Sequence, residues 1–378
     1  MQLNEEPEVR VSSGEENSVN RETSAEKILV LRYRFIGDTI LTVPFLRNLR
    51  RAKPDAYIAW VVAPGSTDVV RGIPYVDDFI FWDPVRNYAD SRGTHRTLRD
   101  KLAFIRDLRR MRFDKVYVLK RSLSSAIIAR LTGARERVGF DTEGRGFLLT
   151  RRVPYRQDRH EVDNFLQVLR DDGIAVSDDY LEAWLSAEER AFAADFLSGQ
   201  GVAAGDTVIG IHPFAANQTR AWHEDNFAAL ANLLQEKYRA RILLFGGAGD
   251  KAMGEYLRER IEPAPLMAVG GTSLRQTMAL LERCTLLVCN DSGIMHLAAA
   301  LNRPLIALFG PQTPVKFGPW GERSQVVYKD FPCSPCRQKF FSECAPSPRM
   351  KPACMEDISV AEVMDVIAKC EGDLFRVR

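Results

Sequence analysis

Short apolar runs alternate with stretches of helical periodicity along most of the chain after Lys27. Buried strands are expected at residues 28–31, 57–62, 78–82, 115–119 and 137–140. Helical patterns lie between these runs, chiefly at 39–51, 97–111 and 122–131. Strands that alternate with helices are typical of a parallel α/β sheet, which we predict for this half of the chain.

A second series of the same kind begins at residue 206. Strands are expected within 206–213, 241–247, 286–291 and 304–310, with helices at 225–238, 250–261, 273–284 and 294–301. The intervening sequence SAEERAFAADFLSGQGVAAGD combines a charged helix with a Gly/Ala-rich turn, which is typical of a domain boundary. Two doubly wound domains that face one another bind their ligand in the cleft, at the C-terminal ends of the strands.

These patterns divide the chain into five segments. We predict an acidic tail at 1–26, an N-terminal domain at 27–180, a linker at 181–205, a second domain at 206–355 and a C-terminal segment at 356–378. The tail holds seven Glu against two Arg and almost no apolar residues, so we expect it to be disordered. The final helix opens on a capping box of Ser359 and Glu362 and is expected to pack back on the N-terminal domain.

The composition argues against several classes of protein. The 378 residues are 46% hydrophobic, yet no window approaches about 18 uncharged apolar residues, so no membrane span is expected. The N-terminus lacks the basic start and apolar core of a secretory signal. The seven cysteines are an odd number without the spacing of a small secreted domain, which favours a cytoplasmic protein.

Positive charge is concentrated in residues 86–121, which hold twelve Lys/Arg against four Asp, although the whole chain carries only +2. Such a run is either a solvated face or a landing site for an anionic acceptor or an acidic membrane surface. Nucleic acid is not expected as a partner, because no recognition motif or interleaved aromatic pattern accompanies the charge.

The turn after the first strand, within RFIGDTILTVPFL, carries one glycine and then Asp38. A dinucleotide-binding turn has three spaced glycines, which this turn lacks. Asp38 is either a helix N-cap or a general base at the C-terminal end of a strand. Pro44 lies inside the following helical pattern and predicts a kink there.

The segment VCNDSGIMHLAAAL places a Gly-containing turn between a buried strand and an Ala-rich helix. Gly293 permits close approach of the backbone to a ligand, and free N–H groups at the helix start form an anion site beside the Ser292 hydroxyl. This arrangement favours a diphosphate. In the alternative interpretation, Asp291 and Ser292 only cap the helix and His296 packs beside the sheet.

Two further strand-to-helix turns carry candidate ligand-binding residues. Asp250, within LLFGGAGDKAMGEYL, is either an N-cap or an acceptor of hydrogen bonds from a ribose. Arg220, within IHPFAANQTRAWHEDNF, either pairs with a phosphate or covers an apolar patch at the surface.

Four cysteines fall close together near the end of the second domain: Cys333, Cys336, Cys344 and Cys354. Four thiols hold zinc tetrahedrally in structural sites, but this segment is Pro-rich and lacks a second Cys-x-x-Cys pair. A reduced structural loop without metal is therefore favoured over a zinc site.

The motifs RFIGDTILTVPFL, HPFAANQTRAWHEDNFAAL, FGGAGDKAM and NDSGIMHLAAALNRPLIALFGPQTP together resemble glycosyltransferase family 9, the ADP-heptose:lipopolysaccharide heptosyltransferases. The resemblance covers about residues 27–370. It implies a GT-B fold of two facing Rossmann-like domains, in which the first binds the acceptor and the second binds the donor nucleotide. It also implies inverting transfer without an obligatory metal or cofactor.

For individual residues, the resemblance implies that Asp38 is the base that deprotonates the acceptor hydroxyl. It implies that Ser292 and Gly293 contact the donor diphosphate. Asp291 and His296 are then expected near the donor sugar or its phosphate.

The resemblance extends to the two other turns. Arg220 matches the family's basic residue, and Asp250 matches an acid that contacts the donor's nucleoside. Where some members have paired threonines, this chain has alanine at 215 and 216. Either Asn217 or Thr219 substitutes for these threonines, or the donor is bound differently.

The leading hypothesis is a peripheral enzyme at the cytoplasmic face of the inner membrane that moves heptose from ADP-heptose to a lipopolysaccharide core acceptor. Its partners are a nucleotide-sugar donor, an anionic lipid-linked saccharide and the membrane surface. The alternatives are a nucleotide-sugar epimerase of the same two-domain plan, a transferase of another sugar nucleotide, and a non-catalytic binder. A non-catalytic binder has no need of Asp38, so the presence of both half-sites favours an enzyme.

Overall fold

The computed structural model describes residues 25–84, 94–339, 344 and 347–374 as two parallel sheets flanked by helices. Residues 1–24 of the predicted tail and 86–93 of the basic region lie outside the described residues. Within the described part of the chain, no helix has the length and apolar character needed to cross a membrane.

The first sheet has six parallel strands in the order β3-β2-β1-β4-β5-β6. The strands are β1 (Lys27–Leu31), β2 (Tyr57–Val62), β3 (Asp78–Phe81), β4 (Lys115–Val118), β5 (Glu136–Phe140) and β6 (Arg151–Val153). The helices of this half are α1 (Ile36–Leu41), α2 (Val43–Ala52), α3 (Leu98–Arg110), α4 (Leu123–Leu131) and α5 (Glu161–Asp171). Four consecutive residues of β1 are buried, because helices cover both faces of a parallel sheet.

The second sheet repeats this plan after α6 (Ala187–Ser198), in the order β12-β11-β10-β7-β8-β9. Its strands are β7 (Val208–His212), β8 (Arg241–Leu244), β9 (Leu266–Met267), β10 (Leu286–Asn290), β11 (Leu305–Phe309) and β12 (Ser324–Tyr328). Its helices are α7 (Glu224–Tyr238), α8 (Lys251–Arg258), α9 (Leu274–Arg283), α10 (Gly293–Ala300), α11 (Pro314–Phe317), α12 (Ala353–Glu356), α13 (Val360–Lys369) and α14 (Glu371–Leu374).

The predicted α/β class and each predicted strand are confirmed, but one predicted helix is two. The stretch at 39–51 breaks at Thr42, whose hydroxyl donates to the Asp38 carbonyl oxygen at 2.8 Å. Pro44 follows as the second residue of α2, where a missing N–H costs no helical hydrogen bond. The chain therefore breaks two residues before Pro44 rather than kinking at it.

The C-terminal helix also differs from expectation. Instead of returning to the first sheet, α13 packs on α7 and β12. Val363 and Ile367 on its inner face join the apolar cluster around Trp222 and Phe227. The prediction that this helix packs on the N-terminal half is therefore wrong, while the other predicted domain boundaries stay a prediction.

The two halves are held together by a shared core and by polar ties. The largest apolar cluster runs from Phe45 and Tyr117 in the first half to Met295 and Leu297 in the second. The buried guanidinium of Arg275 on α9 donates to the Asp68 carbonyl oxygen of the first half at 2.9 Å. These contacts fix the position of the two sheets relative to each other, with the C-terminal ends of their strands facing one another.

Candidate active site

The strand order reverses once in each sheet, between β1 and β4 in the first and between β7 and β10 in the second. Loops on either side of such a reversal separate and leave a crevice at the C-terminal edge, which is where doubly wound sheets bind ligands. The helices that follow β1 and β10 are α1 and α10, and they contact each other. The two crevices therefore open into one cleft.

Asp38 lies in this cleft, in the first turn of α1. One of its carboxylate oxygens accepts the Phe35 N–H at 2.8 Å, and the other pairs with the Arg32 guanidinium. Asp38 is three residues inside the helix, so it supports the helix start without being the N-cap itself. Its side chain stays 20% exposed to the cleft, which leaves the carboxylate accessible to a ligand.

His296, one turn into α10, lies against Gly37 of this turn. A Cβ added at Gly37 would lie 2.5 Å from its Cδ2 atom, so the glycine is needed for the two helices to meet. Burial lowers the pKa of His296 to about 4, with His160 adding to the effect and Asp38 opposing it. Within the described residues, its buried Nδ1 has no hydrogen-bond partner.

The start of α10 is open to a ligand. Ser292 is the N-cap residue, but its side chain makes no cap hydrogen bond and lies 3.5 Å from His212 Nδ1. Gly293 is the first helical residue and packs against Ile36 of α1. The predicted pair of Ser292 and Gly293 is thus brought to the cleft, with the hydroxyl not used for capping.

Arg220 and Asp291 meet at the same edge, as an ion pair with 3.2 Å between Nη1 and Oδ2. Burial raises the pKa of Asp291, and Arg220 opposes this rise. Gln338 accepts a hydrogen bond from Arg220 Nε at 2.7 Å and one from the Asn217 amide at 3.2 Å. Arg220 is therefore held by the Cys-rich segment as well as by Asp291.

Thr219 and Asp250 are placed less favourably for a ligand. The Thr219 hydroxyl is buried and donates to Asn217 Oδ1 at 2.9 Å. The Asp250 carboxylate accepts the Gly247 N–H at 2.8 Å and so supports the turn before α8, but as the N-cap residue of α8 it makes no side-chain cap hydrogen bond. Asp250 follows β8, one strand away from the reversal between β7 and β10.

A cluster of cations in the first half lies at the end of the basic region 86–121, which was predicted as a possible landing site for an anionic acceptor. Lys120 and Arg121 follow β4, on the opposite side of the crevice from Asp38. Burial lowers the pKa of Lys120 to about 8, Arg32 adds to this, and Asp38 opposes it. Arg121 pairs with Glu161 at 3.2 Å. Two basic residues after an apolar strand indicate a place in the cleft here, because β4 is one of the two strands at which the strand order reverses.

The four cysteines of the C-terminal segment all line one cavity of about 530 Å³, together with Thr219. Burial raises the pKa of Cys354 to about 12, and the three other thiols add to this rise. In the described residues, no three His, Cys, Asp or Glu side chains are arranged to hold a metal ion. The expectation of a reduced loop without metal stays a prediction.

A carboxylate and a cation cluster on one wall and an open helix start on the other are features of a group-transfer enzyme with two half-sites. Residues 101–344 match glycosyltransferase family 9 (heptosyltransferase), and the chain belongs to this family. It is 29% identical over 316 residues to lipopolysaccharide heptosyltransferase 2 of Escherichia coli strain K12, covering 80% of this chain and 87% of that protein.

Solved structures agree with this assignment. A glycosyl transferase family 9 protein from Veillonella parvula matches with a TM-score of 0.81 and 26% identity, covering 92% of this chain and 98% of that one. The ADP-heptose lps heptosyltransferase II of E. coli matches with a TM-score of 0.71 and 22% identity, covering 91% and 98%. The second likeness bears on the fold alone, which is of the predicted GT-B type.

Proposed function

We propose that this protein transfers a heptose from ADP-heptose to a lipopolysaccharide core acceptor, with inversion at the anomeric carbon and with Asp38 as the general base. The observation that carries the proposal is the contact of α1 with α10, which sets Asp38 opposite the open start of α10. Inversion requires a base on one side of the anomeric carbon and a stabilised leaving group on the other.

In this mechanism the donor diphosphate binds at the start of α10. The Ser292 hydroxyl and the free N–H groups of the first turn donate to it, and Arg220 supplies a positive charge beside it. His296, with its pKa lowered to about 4, is a neutral imidazole near pH 7 and offers Nδ1 for a hydrogen bond to the donor. ADP is the leaving group, and none of these contacts requires a metal ion or a cofactor.

The acceptor binds on the other wall. Asp38 takes the proton of the attacking hydroxyl, while Arg32 holds the carboxylate in position. Lys120 and Arg121 lie beside it and suit an acceptor that carries anionic groups. An acceptor embedded in lipid also requires the enzyme to work as a peripheral protein at the cytoplasmic face of the inner membrane.

The donor is tested by thermal stabilisation with ADP, UDP, GDP and CMP at equal concentrations. A nucleotide present at about 100 times its dissociation constant stabilises the fold by roughly 2.7 kcal/mol. We expect selectivity for ADP. Selectivity for UDP would move the function to another sugar nucleotide or to epimerisation of a free nucleotide sugar.

The base is tested with Asp38→Asn, which keeps the shape of the side chain and removes its capacity to take a proton. We expect loss of transfer to a core acceptor with ADP stabilisation unchanged, whereas Asp55→Asn at an exposed position should leave both intact. Normal turnover by Asp38→Asn would exclude Asp38 as the base.

A further inference from the structure

Half of the large hydrophobic side chains that are exposed in the described residues lie on α3, α4 and the turn at Arg145–Leu148. We call these six residues the apolar patch; they are 42–72% exposed and comprise Leu98, Leu102, Leu123, Ile127, Leu131 and Phe147. Single exposed apolar residues are normal on a protein surface, but a contiguous group of them marks a binding surface.

The three elements that carry the patch are neighbours in the fold. Helix α3 contacts α4, and α4 contacts the turn that carries Phe147. Along α4, Leu123, Ile127 and Leu131 recur at every fourth residue and form one stripe. The opposite face of α4, with Ser125 and Ala126, is buried. The stripe therefore lies apart from the buried face by which α4 packs against the rest of the protein.

The patch lies in strongly positive surroundings. Residues 94–152, which contain all three elements, hold sixteen Lys/Arg against six Asp/Glu, whereas the whole chain carries only +2. Arg99, Arg106 and Arg130 are exposed on the same two helices as the patch. Burial lowers the pKa of Arg137, and the nearby Arg130 guanidinium adds to this effect. The charge is therefore crowded rather than evenly dispersed.

The patch is also fixed in place relative to the candidate active site. The Tyr33 hydroxyl, in the loop that leads to Asp38, lies 2.8 Å from Ser125 Oγ on α4. Ser125 in turn contacts the N-cap residue Ser122 at 2.6 Å, directly after Lys120 and Arg121. Helix α4, which carries half of the apolar patch, is therefore tied by these contacts to the loops on the acceptor side of the cleft.

We propose that the apolar patch and its surrounding arginines are the surface by which this protein docks on an anionic lipid bilayer. Apolar side chains enter the boundary between headgroups and acyl chains, while arginines pair with lipid phosphates. A second copy is the poorer occupant, because a symmetric contact sets the same excess of positive charge against itself. The choice of a bilayer rests on the proposed function, in which the acceptor is anchored in lipid.

The test is co-sedimentation of the full chain with vesicles of phosphatidylglycerol and phosphatidylcholine, compared with vesicles of phosphatidylcholine alone. We expect binding only to the anionic vesicles, with loss at high salt. The triple variant Leu102→Gln, Ile127→Gln and Phe147→Gln should bind at least ~10-fold more weakly. The matched control is Leu233→Gln with Met350→Gln, which changes exposed apolar residues elsewhere and should bind as the wild type does.

Docking and catalysis are separated by a second readout. Transfer to a delipidated, water-soluble core acceptor should be unchanged in the triple variant, while transfer to a vesicle-embedded acceptor falls. If neither acceptor is used by the wild type, the proposed function fails, yet the vesicle comparison still decides the docking. Equal vesicle binding by wild type and triple variant would overturn the proposal. It would also be overturned if the wild type bound no vesicles and formed a dimer that is lost in the triple variant.

Discussion

Gly37 of α1 and His296 of α10 touch across the cleft so closely that a methyl group at position 37 would lie 2.5 Å from the imidazole Cδ2. The single glycine in the first turn of α1 is therefore explained by the packing of two helices and not by phosphate binding. It lets the helix that carries Asp38 approach the helix that begins at Gly293, and in the proposed mechanism it sets the separation of base and donor.

We predict that Gly37→Ala pushes these two helices apart. Overpacking of this kind costs about 1–3 kcal/mol of stability, and a small displacement of Asp38 from the donor should lower turnover more than it lowers ADP affinity. Chemical denaturation measures the loss of stability, and kcat compared with the dissociation constant for ADP measures the second effect. Gly205→Ala is the control, since a Cβ there meets nothing within 4 Å.

A double variant shows whether the clash is the cause. Gly37→Ala combined with His296→Ala relieves the contact, so the loss of stability should be smaller than the sum of the two single losses by about 1 kcal/mol. Strictly additive losses would mean that the two residues do not meet in solution.

Lys120 is predicted to destabilise the free protein near neutral pH. Its pKa in the folded state, about 8, lies below the ordinary value of 10.5, so the penalty for holding the charge is fully present below pH 8 and is relieved between pH 8 and 10.5. Lys120→Met should therefore stabilise the protein by about 1–2 kcal/mol at pH 7 after allowance for solvent screening, and by little at pH 10.5.

Urea denaturation at the two pH values measures this difference, with Lys369→Met at an exposed position as the control. The same variant should weaken acceptor binding, because it removes a cation from the acceptor wall. A Lys120→Met protein that is no more stable than wild type at pH 7 would show that the ammonium group is already paired or well solvated.

His160 gives a pH dependence of the opposite kind. Its Nε2 lies 3.0 Å from the Gly318 carbonyl oxygen in the other half, and burial lowers the pKa of the ring to about 4. As pH falls, the His160 ring of the unfolded chain binds a proton at a higher pH than the ring of the folded chain does. The free energy of unfolding therefore falls as pH drops from 6.5 toward 4. His160→Gln keeps a donor for Gly318 but cannot titrate, and should reduce the loss between pH 6.5 and 4.5 by about 2 kcal/mol in chemical denaturation. An unchanged pH profile in this variant would contradict the assignment.

The placement of candidate residues on loops after strands could be predicted from sequence alone. Asp38 and Ser292 both follow apolar runs long enough to be buried parallel strands, and the strand order then brings the two loops to the cleft. Short or charged strands could not be found this way. The sequence of β6 is Arg-Arg-Val and β9 has only two residues, so neither carries an apolar run.

Contacts between distant segments were beyond the sequence reasoning for a different reason. Arg32 and Asp38 form a local pair, but Lys120 reaches them only because β4 pairs with β1. Gln338 lies more than a hundred residues after Arg220, so no local sequence pattern connects the two. The break at Thr42 coincides with a side-chain hydrogen bond to the Asp38 carbonyl oxygen, which periodicity does not record.

Gln338 leads to the last prediction, that this residue positions Arg220 for the donor diphosphate. It accepts from Arg220 Nε at 2.7 Å, so Gln338→Ala should leave the guanidinium held by Asp291 but no longer by residue 338, and weaken ADP binding about 10-fold in calorimetry, equivalent to about 1.4 kcal/mol. Gln325→Ala, exposed on β12, is the control and should leave ADP binding unchanged. In an Arg220→Met background the effect of Gln338→Ala should vanish, because Gln338 acts through Arg220. A loss of ADP affinity that persists in that background would instead assign Gln338 a role in supporting the loop as a whole.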